Sequence, residues 1–148
     1  MRPKIEAVCQ TMAADLIMRV IPAISPTYHQ GTVGMIASIL SIIGEEWDRA
    51  ASRRTEENDA IREIFRDAVP QVNDAKLKSR LVALADTQDH DLHISALEKN
   101  NCELRAALIE LQAQMETQSG PDARRIETAI WKELLESTLR RRLSTAQF

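Results

Sequence analysis

The stretch ISALEKNNCELRAALIELQAQM, residues 94–115, decides the fold class. Within it Ile94, Leu97, Asn101, Leu104, Leu108, Leu111 and Met115 recur at alternating steps of three and four without a skip. Only an α-helix brings such positions onto one side, and so narrow a seam suits helix-on-helix packing of the coiled-coil kind. One Asn within it can fix register at a cost in stability, which makes Asn101, Leu104, Leu108 and Leu111 a candidate association seam. The same seam also suits an ordinary long helix of a bundle. The pattern extends from about Thr87 to Gln118, where Ser119-Gly120-Pro121-Asp122 ends one helix and starts the next. Ile126, Ile130, Trp131, Leu134, Leu135, Leu139 and Leu143 give that last helix a broad apolar face, and two long helices joined by a short turn predict an antiparallel hairpin.

Upstream, Leu77, Leu81, Leu84 and Ala85 mark a helix that Asn73 or Asp74 is placed to cap. Before it, Pro70-Gln71-Val72-Asn73-Asp74 is the clearest break in the chain. Ile61, Ile64, Phe65 and Ala68 give a short helix stopping at Pro70, and the charged run from Arg49 to Asp59 reads as the solvated exit of an earlier one. That earlier helix, from about Pro26 to Ala51, carries two seams. Val33, Ile36, Leu40, Ile43 and Trp47 form a large one; Gly34, Ala37, Ser41 and Gly44 form a small one. Small residues let a neighbouring backbone approach, so this helix is expected to be central and enclosed on more than one side. The first helix, about Pro3 to Ile21, sets Ile5, Val8, Cys9, Met12, Leu16 and Val20 on one face and is closed by Pro22 and Pro26. The fold expected is an all-α helical bundle of five to six helices, one domain over 1–148, with halves at 1–70 and 74–148.

Composition agrees. The 148 residues are 44% hydrophobic and 28% charged, with 3% aromatics and four glycines, an ordinary globular mixture rich in helix formers. Nineteen basic and 22 acidic residues give a net charge of -3, which offers no overall footprint for nucleic acid or an anionic membrane. Cys9 and Cys102 are far apart, so neither a disulfide framework nor a cysteine metal site is indicated, and a reduced, cytoplasmic setting is expected. The start of the chain lacks the pattern of a secretory signal, and the longest apolar run, Val33 to Ile43, is too short for a bilayer.

Chemistry has few places to reside. Asp86-Thr87-Gln88-Asp89-His90-Asp91-Leu92-His93 holds two histidines and three carboxylates within eight residues. On a helix, Asp86, Asp89, His90 and His93 would converge as ligands of a divalent cation. The same residues also suit an acidic, Thr87-capped helix start. His29 beside Tyr28 is a second candidate ligand-binding position, against the reading of a histidine bonded to a backbone carbonyl. A di-iron bundle would need Glu-x-x-His pairs, and none exists. His-Glu-x-x-His, a nucleophile elbow and any cofactor motif are absent, and Gly31-Thr32-Val33-Gly34 lacks the lysine of a phosphate loop. Arg140-Arg141-Arg142 fits a helix C-terminus and superficially a basophilic kinase site at Ser144 or a nucleic-acid contact, for which aromatic interleaving is absent.

From Ile21 to Glu46, the run Ile-Pro-Ala-Ile, then Tyr28-His29, then Val33 to Ile43 followed by Glu45-Glu46, resembles the N-terminal part of an uncharacterised family of small bacterial helical proteins. The likeness covers about a fifth of the chain, and the C-terminal tail departs from the family's pattern. Such proteins are associated by gene neighbourhood with aminoglycoside-phosphotransferase-like kinases and acyl-CoA dehydrogenases. The resemblance implies an accessory protein and directs attention to His29, without assigning an activity. Together these features favour a non-catalytic bundle that acts by self-association as a dimer or by binding a metabolic enzyme. A metal- or small-ligand-binding bundle using the Asp86–His93 cluster is the alternative.

Overall fold

The computed structural model describes residues 3–143, and among them there is helix but no strand. Helix α1 (Ile5–Asp15) continues through a π-helical turn, Leu16–Val20, and a 3-10 turn, Ile21–Ala23. Helix α2 (Thr27–Ala68) is followed by a 3-10 turn, Val69–Gln71, and then by α3 (Ala75–Ala85), α4 (Ile94–Glu116) and α5 (Pro121–Arg140). The described residues are therefore all-α, with five α-helices.

Helix α2 replaces the two helices expected over this region. No glycine or proline lies between Gly44 and Pro70, so nothing interrupts the hydrogen-bond ladder, and a charged run alone does not end a helix. The chain divides into two compact units, one reaching Ala50 and one covering Ala51–Arg142. That division falls inside α2, not at the Pro70–Asp74 break.

In the first unit, α1 and α2 meet through small residues. Cys9 and Ala13 of α1 are buried, as are Ala37 and Gly44 of α2. A Cβ on Gly44 would lie 3.1 Å from Cys9 Cβ and 3.3 Å from the Glu6 carbonyl oxygen, so the small seam does permit close approach. Gln10 Nε2 also donates to the Ser41 carbonyl, at 3.4 Å. The large seam behaves otherwise. Val33 and Leu40 are half-buried, but Ile36, Ile43 and Trp47 are exposed, so the expected enclosure of this helix on more than one side is not met.

The second unit assembles the rest of α2 with α3, α4 and α5. Ile61 and Phe65 of α2, Leu81 of α3, Leu104, Leu111 and Met115 of α4, and Ile126 and Ile130 of α5 share one apolar core. Each large side chain withdrawn from water contributes about 1.5–3 kcal/mol. Asp74 caps α3, its Oδ1 accepting from the Leu77 N–H at 2.7 Å. Helix α4 begins at Ile94, later than the heptad pattern suggested. Thr87 Oγ1 donates to the Leu84 carbonyl at the end of α3, and Asp91 Oδ1 accepts from the His93 N–H. Residues 86–93 thus form a connection and not a helical turn. On α5, Ile126 and Ile130 face the core while Trp131, Leu135 and Leu139 are exposed, so its apolar face is only partly used.

Candidate functional site

The cation reading of Asp86, Asp89, His90 and His93 required one helical face, and the segment is not helical. Its four residues go separate ways. Asp89 turns inward, whereas Asp86, His90 and His93 are exposed. His93 Nδ1 lies 2.5 Å from Asp91 Oδ1. The ring and backbone of His93 hold the Asp91 carboxyl below its ordinary range. Among the described residues no group of three or more His, Cys, Asp or Glu side chains is arranged to hold a metal ion.

Asp89 instead anchors a buried polar network. Its side chain and that of Arg62 are each 2% exposed, and Arg62 grips it with two prongs, Nη1 to Oδ2 at 3.1 Å and Nη2 to Oδ1 at 3.0 Å. Asn58 Nδ2 donates to Oδ2 at 2.9 Å and Asn100 Nδ2 to Oδ1 at 2.7 Å. Burial opposes ionisation of Asp89, but these donors outweigh it and hold the carboxyl below the ordinary Asp value. Arg62 is further fixed by Thr87 Oγ1 and Asp59 Oδ1. The connection after α3 is thereby tied to α2 and α4.

The network continues through Asn101, whose Nδ2 donates to Asn58 Oδ1 at 2.9 Å. Arg141 Nη2, at the end of α5, reaches both Asn101 Oδ1 and Glu57 Oε2, the latter at 2.7 Å. Arg105 takes the other oxygen of Glu57, Nε to Oε1 at 2.5 Å, and donates through Nη2 to Ser137 Oγ. Burial pushes the Glu57 carboxyl up, and the two arginines more than reverse this, leaving its pKa lowered. Glu133, paired with Arg140, is pushed up by burial and by the nearby charge of Glu57. Each charge in this part of the interior has a partner of the opposite sign, the condition under which buried ions are tolerated.

Asn101, Leu104, Leu108 and Leu111 all lie buried within this unit: the three leucines face its apolar core and Asn101 its polar network. They are not on a free face. His29 lies in the first unit, exposed, with its ring edge-on to Tyr28 at 5.7 Å between centroids. The Thr32 hydroxyl donates to the Tyr28 backbone carbonyl at 3.4 Å, one helical turn on.

What the first unit does offer is apolar surface. Of the 19 large hydrophobic side chains exposed among the described residues, 12 lie between Ile5 and Trp47. On α2, Met35, Ile39 and Ile43, with Ile36 and Trp47 beside them, fall at spacings of three, four and seven and so form one stripe along the helix. Trp47 is 64% exposed. Residues 20–44 contain no Asp, Glu, Lys or Arg to interrupt the stripe. No described helix is long and apolar enough to cross a membrane.

No family model matches the chain, and neither the curated proteins nor the solved structures contain a similar one. Its site is therefore defined by geometry alone. Sequence reasoning missed Glu57, Arg62 and Arg105, because their partners lie far away in the chain, and it placed Arg141 in a basic cluster without its partner Glu57. The one signal was Asn101, a polar residue in an otherwise apolar seam.

Proposed function

We propose that this protein is a non-catalytic helical bundle that works by self-association, and that the α1–α2 hairpin of one copy packs against the same hairpin of a second. In this reading the helices of the second unit form the bundle proper, with α4 and α5 as an antiparallel hairpin. The pairings of Arg105 with Ser137 and Arg141 with Asn101, which join the first part of α4 to the last part of α5, support that arrangement.

The observation that carries the association reading is the exposed stripe of Met35, Ile36, Ile39, Ile43 and Trp47. Met35 and Trp47 are each 64% exposed and Ile36, Ile39 and Ile43 are nearly half exposed, so five large apolar side chains on one side of α2 lack cover. Two helices within about 50 residues also bury too little between themselves to be stable without further packing. A second copy supplies that packing symmetrically: two hairpins make four helices, and a self-complementary stripe suits a two-fold interface. A metabolic enzyme as partner is the other outcome of the test.

Replacing Ile36 and Ile43 together by Lys places two charges in the stripe while leaving the buried face of α2 untouched. The double variant is expected to be monomeric, with helix content retained, whereas Ile109→Lys on the exposed side of α4 leaves the dimer intact. A dimer that survives I36K/I43K but is lost in Leu135→Lys would move the interface to α5 and overturn the proposal.

A further inference from the structure

A groove of about 450 Å³ lies beside the end of α5, lined by Arg105, Ser137, Thr138, Leu139, Arg141 and Arg142. We propose that it binds a phosphate-bearing small molecule, held by the guanidinium groups of Arg105, Arg141 and Arg142. The proposal concerns the second unit and does not rest on the self-association reading.

The groove carries a charge mismatch. Glu57 is 3% exposed and lies behind the groove, with one oxygen on Arg105 Nε and the other on Arg141 Nη2. One carboxylate therefore holds two guanidiniums side by side. Arg142 adds a third positive charge to the lining, and no acidic side chain is part of it. Two like charges fixed close together repel, and a bound dianion relieves that repulsion as no water molecule can.

The geometry of the donors suits phosphate. A guanidinium carries five N–H groups in a planar fork. Arg105 directs Nε to Glu57 and Nη2 to Ser137 Oγ, and Arg141 directs Nη2 to Glu57 and Asn101, so each retains further N–H groups. Both side chains are partly exposed. Ser137, itself buried, donates its hydroxyl hydrogen bond to the Leu134 carbonyl and accepts from Arg105, which fixes the direction of that fork. Forks already oriented by a buried carboxylate lose little freedom on binding a tetrahedral oxyanion. A volume of this size admits a small molecule. A nucleic acid chain is disfavoured, because the lining has no aromatic side chain on which bases could stack.

The test is calorimetric titration of the full chain with inorganic pyrophosphate at low salt. Wild type is expected to bind one equivalent per chain with a dissociation constant below about 1 mM. Arg142→Gln, which removes a groove cation without touching the pairing of Glu57, is expected to weaken binding at least about fivefold with an unchanged melting curve. Arg80→Gln, on α3, is expected to bind as wild type does. Several results would overturn the proposal: no heat at millimolar pyrophosphate, equal affinity in wild type and R142Q, equal weakening by R80Q, or sulfate binding as tightly as pyrophosphate. Tighter binding of a single-stranded oligonucleotide than of pyrophosphate would also overturn it, in favour of a nucleic-acid surface.

Discussion

Arg62 and Asp89 form a two-pronged ion pair 27 residues apart in sequence, with both side chains 2% exposed. The pair joins the C-terminal part of α2 to the connection between α3 and α4. Removing Asp89 leaves Arg62 charged and buried, with only the largely exposed Asp59 carboxylate to pair with it. Asp89→Ala is therefore expected to destabilise the chain by about 3–5 kcal/mol, measured by urea unfolding. A change under about 1 kcal/mol would show that Arg62 reaches solvent or another acid without difficulty.

The same groups set the acid limit of stability. Asp89 and Glu57 have folded-state pKa values below their ordinary ones. Their contribution is thus fully present above the unfolded carboxylate range of about 4, and is lost as pH falls through the lowered values. Glu133 works in the opposite sense. Its raised pKa gives a contribution present at low pH and lost as pH rises through the folded value. Glu133→Gln removes that loss, so the stability difference between variant and wild type is expected to shift in the variant's favour between about pH 4 and pH 7. Unfolding curves at several pH values check this, and a difference that does not change with pH would contradict it.

Two glycines of α2 make a matched pair. Nothing lies within 4 Å of a Cβ built on Gly31, while one on Gly44 meets Cys9 Cβ and the Glu6 backbone. Gly31→Ala is expected to stabilise by about 0.5–1 kcal/mol, the helix-propensity gain. Gly44→Val is expected to lower the melting temperature by forcing α1 away from α2. If the two substitutions behave alike, α1 does not pack on the small seam.

Leu111 is fully buried in the core of the second unit. Leu111→Ala is expected to cost about 2–5 kcal/mol in stability without changing the native mass at concentrations where the chain stays folded. Loss of the dimer with stability unchanged would return the association seam to α4.

These contrasts show which parts of the structure the sequence makes legible. Helix identity along α4 follows from the heptad itself, and the Asp74 cap and the stop at Pro70 follow from local stereochemistry. The partner of a seam does not. Leu104 and Leu108 read equally well as an interface or as a core, because periodicity tells which side of a helix is apolar and not what covers it. The charged run from Arg49 to Asp59, which holds Glu57 and ends just before Arg62, misled for a related reason. Arg62 and Glu57 look like solvated residues, and only contact with Asp89, Arg105 and Arg141, 27 to 84 residues away, makes them interior. Likewise the Asp86–His93 cluster converges on a cation only if helical, and Thr87 and Asp91 bond the backbone in a way that ends one helix before the next begins. The kinase reading of Ser144 lies outside the described residues.

Closure of the exposed α2 stripe by a second copy of the chain, as proposed, would double the native mass. The most direct measurement is the native mass of the wild-type protein by sedimentation velocity over a range of micromolar concentrations. The expected result is twice the chain mass of 16.7 kDa, falling to the single-chain value in I36K/I43K. A wild-type protein that sediments as a well-folded monomer throughout that range would contradict it.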